Sequence, residues 1–158
     1  MDANMLMIYV IAIVCIGGGL FYFLQKYIRL SKLNKAIENK KYDQILVMCE
    51  QPSLRKGIGE FTCDLYRLNA LRSMNETERL KSELNQMLEY YGGKEEKRLF
   101  ELYYHYFLNH KDYAYAKELL AAIRETEDEP FIQYNEWAYE VIAEGRTDLA
   151  SEMEDAVN

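Results

Sequence analysis

Apolar residues follow two different rhythms along this chain. From Met5 to Leu24 they are continuous: MLMIYVIAIVCIGGGLFYFL carries no charged side chain and no polar face. At about 1.5 Å per residue such a helix reaches roughly 30 Å, the thickness of bilayer hydrocarbon. A helix in a globular core shows a polar stripe. A cleaved secretory signal opens on Lys or Arg, has a shorter apolar run and ends at small residues. Here Asp2 is the only charge before the run, and no A-x-A site follows it. The pattern predicts a membrane-spanning helix over residues 5–25, with residues 1–4 exposed beyond it.

Past this run the rhythm becomes helical and one-sided. Leu80, Leu84, Met87, Leu88 and Tyr91 recur at helical spacing. Phe61, Leu65, Leu68 and Leu71 form a second stripe, and Phe131, Tyr134, Trp137, Ala138, Val141 and Ile142 a third. No stretch alternates as a strand does. Pro52 and Pro130, the only prolines, fall where helices change, Pro130 in the first turn of one. Asn75 with Glu78 three residues on predicts an N-cap of capping-box type, and Gly92-Gly93 predicts the end of the helix it opens.

The predicted turns resemble one another. KKYDQI from Lys40, NETERL from Asn75, KDYAYA from Lys111 and GRTDLA from Gly145 each close one helix and open the next. Their last residues, Ile45, Leu80, Ala116 and Ala150, are separated by about 35, 36 and 34 residues, close to the period of helix–turn–helix solenoids. One hairpin cannot bury its apolar face alone, whereas stacked hairpins can. The expected class is all-α: a single N-terminal membrane helix, a basic segment over 26–41, and about four helical hairpins over 31–158.

Phe100–Pro130, FELYYHYFLNHKDYAYAKELLAAIRETEDEP, resembles a tetratricopeptide repeat. Lys111-Asp112-Tyr113 is similar to that family's Gly-Asp-Tyr turn, Ala116 to its small residue, and Leu120 and Ile123 to later apolar positions. YNEWAYEVIAEGRTDLASEM resembles a second copy, with Ala138 and Ala150 at small sites and Gly145 at the turn. Leu33, Leu68 and Tyr104 depart from the pattern by standing where the family has a small residue. Leu80 replaces the turn alanine, and Glu154 takes an apolar place. The resemblance implies a right-handed but degenerate α-solenoid. It also implies an inner groove lined by Asn69, Arg72, Arg98, Glu101, His105, Asn109, Asn135 and Tyr139, with Leu108 and Ile142 beside them. The family's clamp for carboxylate tails is not matched, because Leu65 and Leu102 replace its Lys and Asn.

Charge adds polarity. The formal net charge is −7, but Lys26, Arg29, Lys32, Lys35, Lys40 and Lys41 all follow directly on the apolar run. Lys and Arg stay on the cytoplasmic side, so the N-terminus is expected outside a cell membrane and the C-terminal domain in the cytoplasm. The basic flank also suits anionic lipid headgroups. The acidic C-terminal third argues against nucleic acid, which needs a basic face. Gly17-Gly18-Gly19 fits either a seam for a second membrane helix or a flexible point.

Little in the chain suggests chemistry. Cys15, Cys49 and Cys63 form no CxxC pair and are expected reduced. His105 and His110 are five apart and share no helix face, so no metal site, cofactor or catalytic residue is expected. Phe100, Tyr103 and Phe107 are expected in the core. The pattern favours a membrane-anchored adaptor that recruits a protein or extended peptide and is not itself an enzyme. Two other readings stay open: a subunit of a membrane enzyme or secretion assembly, and, with reversed topology, an extracytoplasmic chaperone-like domain.

Overall fold

The structure, a computed structural model, describes residues 3–146. Among these residues there are eight α-helices and no strand: α1 (Ala3–Glu38), α2 (Tyr42–Glu50), α3 (Pro52–Ile58), α4 (Glu60–Ser73), α5 (Thr77–Tyr90), α6 (Lys94–Asn109), α7 (Tyr113–Ile123) and α8 (Glu129–Ala143). The chain divides into two compact units, Met1–Met87 and Leu88–Asn158.

In the first unit α1 changes character along its length without a break. Among the described side chains its apolar part from Ile11 to Leu24 is exposed throughout: Ile13, Leu20 and Phe23 are 68%, 66% and 69% exposed. The part from Ile11 onward is long and apolar enough to cross a membrane. Its last turns are different, since Leu33 and Ala36 are buried where α1 packs on α2 and α3. Thus the apolar helix and the first helix of the first hairpin are the same helix.

The first unit also contains a helix the apolar pattern does not separate. Pro52 disfavours a helical residue before it, so α2 ends at Glu50 and α3 opens on Pro52. Gly59, at φ 100°, then divides α3 from α4. Arg55 on α3 reaches Asp64 on α4 through two hydrogen bonds of 2.6 and 3.1 Å. Arg67 likewise grips Glu83 at 3.1 and 3.0 Å, tying α4 to α5. Leu80, Leu84 and Met87 are the buried stripe of α5.

Among the described residues of the second unit, α6 packs on α7 and both pack on α8. Leu99, Phe100, Tyr103, Tyr104, Phe107 and Leu108 are the buried face of α6, so Phe100, Tyr103 and Phe107 are core as expected. Phe107 meets Tyr115 edge to face at 4.6 Å. Asp112 caps α7 by accepting from the Tyr115 amide, and Asp128 caps α8 by accepting from the Phe131 amide.

The turns share one backbone geometry. Lys40, Asn75 and Lys111 are the only non-glycine residues at positive φ among those described. After each, the next amide bonds back five residues to the closing helix: Lys41 to Ala36, Glu76 to Leu71, Asp112 to Phe107. This is the Schellman closure. Asn75 therefore ends α4 rather than capping α5, a correction to the capping-box expectation; its tolerance of left-handed backbone explains its place. Gly145 stands at the fourth turn with φ 76°. The burial repeats with the turns. Leu33, Leu68, Tyr104 and Ala138, each seven residues before a positive-φ residue, are all 0% exposed, as are Ile45, Leu80 and Ala116 after the first three turns. Ala150 and Glu154 lie outside the described residues.

Candidate functional site

The eight residues expected to line a groove separate into two sets. Asn69 and Arg72 stand half-buried on α4 in the first unit. The other six stand in the second unit, on α6 and α8.

On α6, Arg98, Glu101, His105 and Asn109 recur at three- and four-residue spacing, which puts them on one helix face. Arg98 and Glu101 are exposed and paired with each other at 3.2 Å. His105 lies between two rings, 5.1 Å from Tyr104 and 5.7 Å from Tyr134 on α8. Burial holds its imidazole pKa below the usual range, so the ring is neutral at pH 7. Asn109 is exposed at the end of the helix. From α8, the Tyr139 hydroxyl reaches the Tyr113 carbonyl at 3.5 Å, leaving its ring half-exposed.

Asn135 does not join this face. It is 1% exposed, and its amide donates to the Phe131 carbonyl at 2.7 Å. The reason is register: Asn135 falls directly under Tyr104, whose hydroxyl occupies the Asn135 carbonyl. Leu108 is also fully buried, whereas Ile142 is 40% exposed. The accessible set in the second unit is therefore Arg98, Glu101, His105 and Asn109 on one face of α6, with Tyr134 of α8 beside His105 and Tyr139 farther along α8. It offers one cation, one anion, amide and imidazole hydrogen-bonding groups and aromatic area. That composition suits polar and aromatic recognition of a peptide.

A separate hollow of about 820 Å³ opens between the start of α6, the end of α7 and the start of α8. The Glu127–Glu129 run borders it with Glu96, Lys97 and Phe131. Lys97 bonds Asp128 at 2.5 Å and stands 4.9 Å over the Phe131 ring, and this bond draws the Asp128 carboxyl below its ordinary range. In the sequence the acidic run before Pro130 reads as a solvated turn or a helix N-terminus, and the pairing with Lys97 is hidden because that residue is thirty-one positions away.

The thiols are enclosed. Cys49 on α2 and Cys63 on α4 are both free and both 0% exposed. Burial and the neighbouring Cys63, to which it is hydrogen-bonded, push the Cys49 thiol up to about 12. A thiol so held is a poor nucleophile. No cluster of three or more His, Cys, Asp or Glu side chains is placed to hold a metal among the described residues.

Comparison with known proteins found no match, neither a family model nor a curated protein nor a solved structure.

Proposed function

We propose that this chain is a single-pass membrane protein whose cytoplasmic domain is a degenerate tetratricopeptide-like solenoid that captures a protein or extended peptide. The anchor confines that partner to the bilayer and raises its effective concentration there. The observation that carries the reading is α1. From Ile11 to Leu24 its apolar side chains stay exposed among the described residues, yet the same helix runs on into buried Leu33 and Ala36. An unpacked apolar helix of this length needs an apolar solvent. Its continuity ties the domain to that solvent with no linker between. The repeated Schellman turns and the repeated burial before them support stacked hairpins, and the α6–α8 face supports binding rather than catalysis.

The lysines and arginine after the run support a cytoplasmic C-terminal domain. A cytoplasm-active reporter fused at Asn158 should be active, and the full chain should stay with membranes through alkaline carbonate extraction. Release by carbonate sinks the anchor; an inactive reporter with a retained chain reverses the topology. Thiol labelling is a poor substitute, because Cys49 and Cys63 are enclosed whichever side they occupy.

A further inference from the structure

We propose that α1, α2 and α3 together form a site for one phosphate-bearing anion, supplied by a lipid headgroup at the membrane surface. This rests on the reading of α1 as a membrane helix.

A hollow of about 340 Å³ is lined by Arg29 and Lys32 from α1, Gln44 and Met48 from α2, and Gln51, Ser53 and Leu54 around the start of α3. Two cations line it and no carboxylate does. Arg29 is the unusual member. It is half-buried, and its guanidinium lies against the backbone of α3 at Gly57. A Cβ on Gly57 would fall 1.6 Å from Arg29 Nη1 and 2.6 Å from its Cζ. Gly57 is itself buried, in the last turn of α3. The absence of a side chain there is what admits the guanidinium.

Elsewhere in this unit the inward-facing arginines have acids, Arg55 with Asp64 and Arg67 with Glu83. Among the described residues Arg29 and Lys32 have none. Holding a cation partly out of water without a counter-charge is unfavourable. The planar guanidinium fork matches phosphate oxygens, and Lys32 adds a second positive charge. Gln44, Gln51 and Ser53 supply neutral donors for the remaining oxygens.

Position selects the source. Arg29 is five residues past Leu24, the last residue of the apolar run, so it stands about 7–8 Å beyond the hydrocarbon. The headgroup layer extends roughly 5–8 Å on each side. Arg29 thus falls at the depth of lipid phosphates, and a free phosphate ion is the competing source of the same chemistry.

The test uses the full chain in neutral detergent, with short-chain phosphatidylglycerol, phosphatidylcholine and inorganic phosphate as probes. Bound lipid is counted by native mass spectrometry and affinity is read from the rise in unfolding midpoint. One phosphatidylglycerol should be retained per chain, saturably. Arg29→Gln should weaken it about tenfold or more, as expected for loss of a charge-assisted bond. Gly57→Ala changes no charge but displaces the guanidinium, and should weaken it as well. Lys35→Gln removes a neighbouring charge outside the hollow and should leave affinity within about twofold. Equal losses for Arg29→Gln and Lys35→Gln would mean diffuse attraction and overturn the site. Wild-type affinity in a Gly57→Ala chain that keeps wild-type helicity overturns it too; if that variant does not fold, Arg29→Gln against Lys35→Gln decides. An equal midpoint rise with inorganic phosphate overturns the lipid assignment. Flotation of the wild type with pure phosphatidylcholine vesicles checks the anchor separately: flotation without retention sinks this site alone, and failure to float sinks the membrane reading.

Discussion

The Tyr104 hydroxyl donates to the main-chain carbonyl of Asn135 at 2.7 Å, joining α6 to α8 inside the second unit. Tyr104 and Ala138 each stand seven residues before a positive-φ turn residue, and both are fully buried. A large ring fits at Tyr104 because its polar end finds an acceptor in the neighbouring helix, while the ring itself fills the interior. Tyr104→Phe removes only the hydrogen bond and should lower stability by about 0.5–1.5 kcal/mol. Tyr104→Ala leaves a cavity and should lower it by about 3–5 kcal/mol. Denaturant unfolding of the two variants checks this, and equal losses would show that the ring does not fill the space.

Buried phenols and thiols give the protein an alkaline weakness. Burial raises Tyr104 and Tyr115 above the ordinary phenol value of 10.0, and Cys49 rises from 9.0 to about 12. In the unfolded chain these groups ionise at their ordinary values, whereas in the folded chain they stay protonated. Their contribution is therefore complete below about pH 9 and declines as pH rises from there through the raised values. Helicity followed from pH 8 to 12, with tyrosinate absorbance, should show cooperative unfolding beginning above about pH 9. Tyrosinate appearing at ordinary pH with helicity intact would refute the burial argument.

The left-handed turns carry a removable strain. A non-glycine residue at positive φ costs roughly 1–2 kcal/mol, offset in part by the greater freedom glycine loses on folding. Lys111, at φ 62°, is exposed and uses no side-chain contact to hold the turn. Lys111→Gly should stabilise by about 0.5–1 kcal/mol, and Lys111→Val should destabilise. Asn75→Gly should gain less, since Asn tolerates this backbone. Urea midpoints rank the three, and no gain for Lys111→Gly would argue against a left-handed turn at Lys111.

Much of this architecture is legible in the sequence because it is local. The apolar run, the amphipathic stripes and the period of about 35 residues depend on neighbours a few positions apart, and the buried places at Leu33, Leu68, Tyr104 and Ala138 keep that period. What the sequence hides is what depends on distant partners. Asn75 next to an acidic turn satisfies two rules at once, helix opening and helix closing, and the bond from Glu76 back to Leu71 selects the second. Asn135 looks like a polar groove residue until α6 is packed on α8, where Tyr104, thirty-one residues earlier, bonds its main-chain carbonyl and its side chain is buried. The short α3 is invisible to periodicity because seven residues are too few to show a stripe. Its clues are the punctuating Pro52 and Gly59. The Arg29–Gly57 contact joins positions no local pattern connects.

The exposed face of the second unit should bind without supporting the fold. Arg98 and Glu101 pair in solvent, where such a contact contributes little, so Arg98→Ala should change stability by no more than about 0.5 kcal/mol. Removing the cation nevertheless leaves Glu101 uncompensated and deprives an acidic segment of its counter-charge. Tyr139→Phe keeps the ring but loses the hydroxyl, and should affect capture less than Tyr139→Ala. Arg72→Ala, on the first unit, tests whether that unit contributes to the same partner. A protein that co-purifies with the full wild-type chain in detergent is identified first, and its affinity is then measured against each variant. Arg98→Ala and Tyr139→Ala should each weaken it about five- to tenfold with helicity unchanged, the scale of one lost interfacial contact. Lys117→Ala, exposed on α7, should not. If affinity survives both face variants and disappears when the Met5–Leu24 run or the segment beyond Gly145 is replaced, recognition belongs to those segments and the α6–α8 face is ordinary surface.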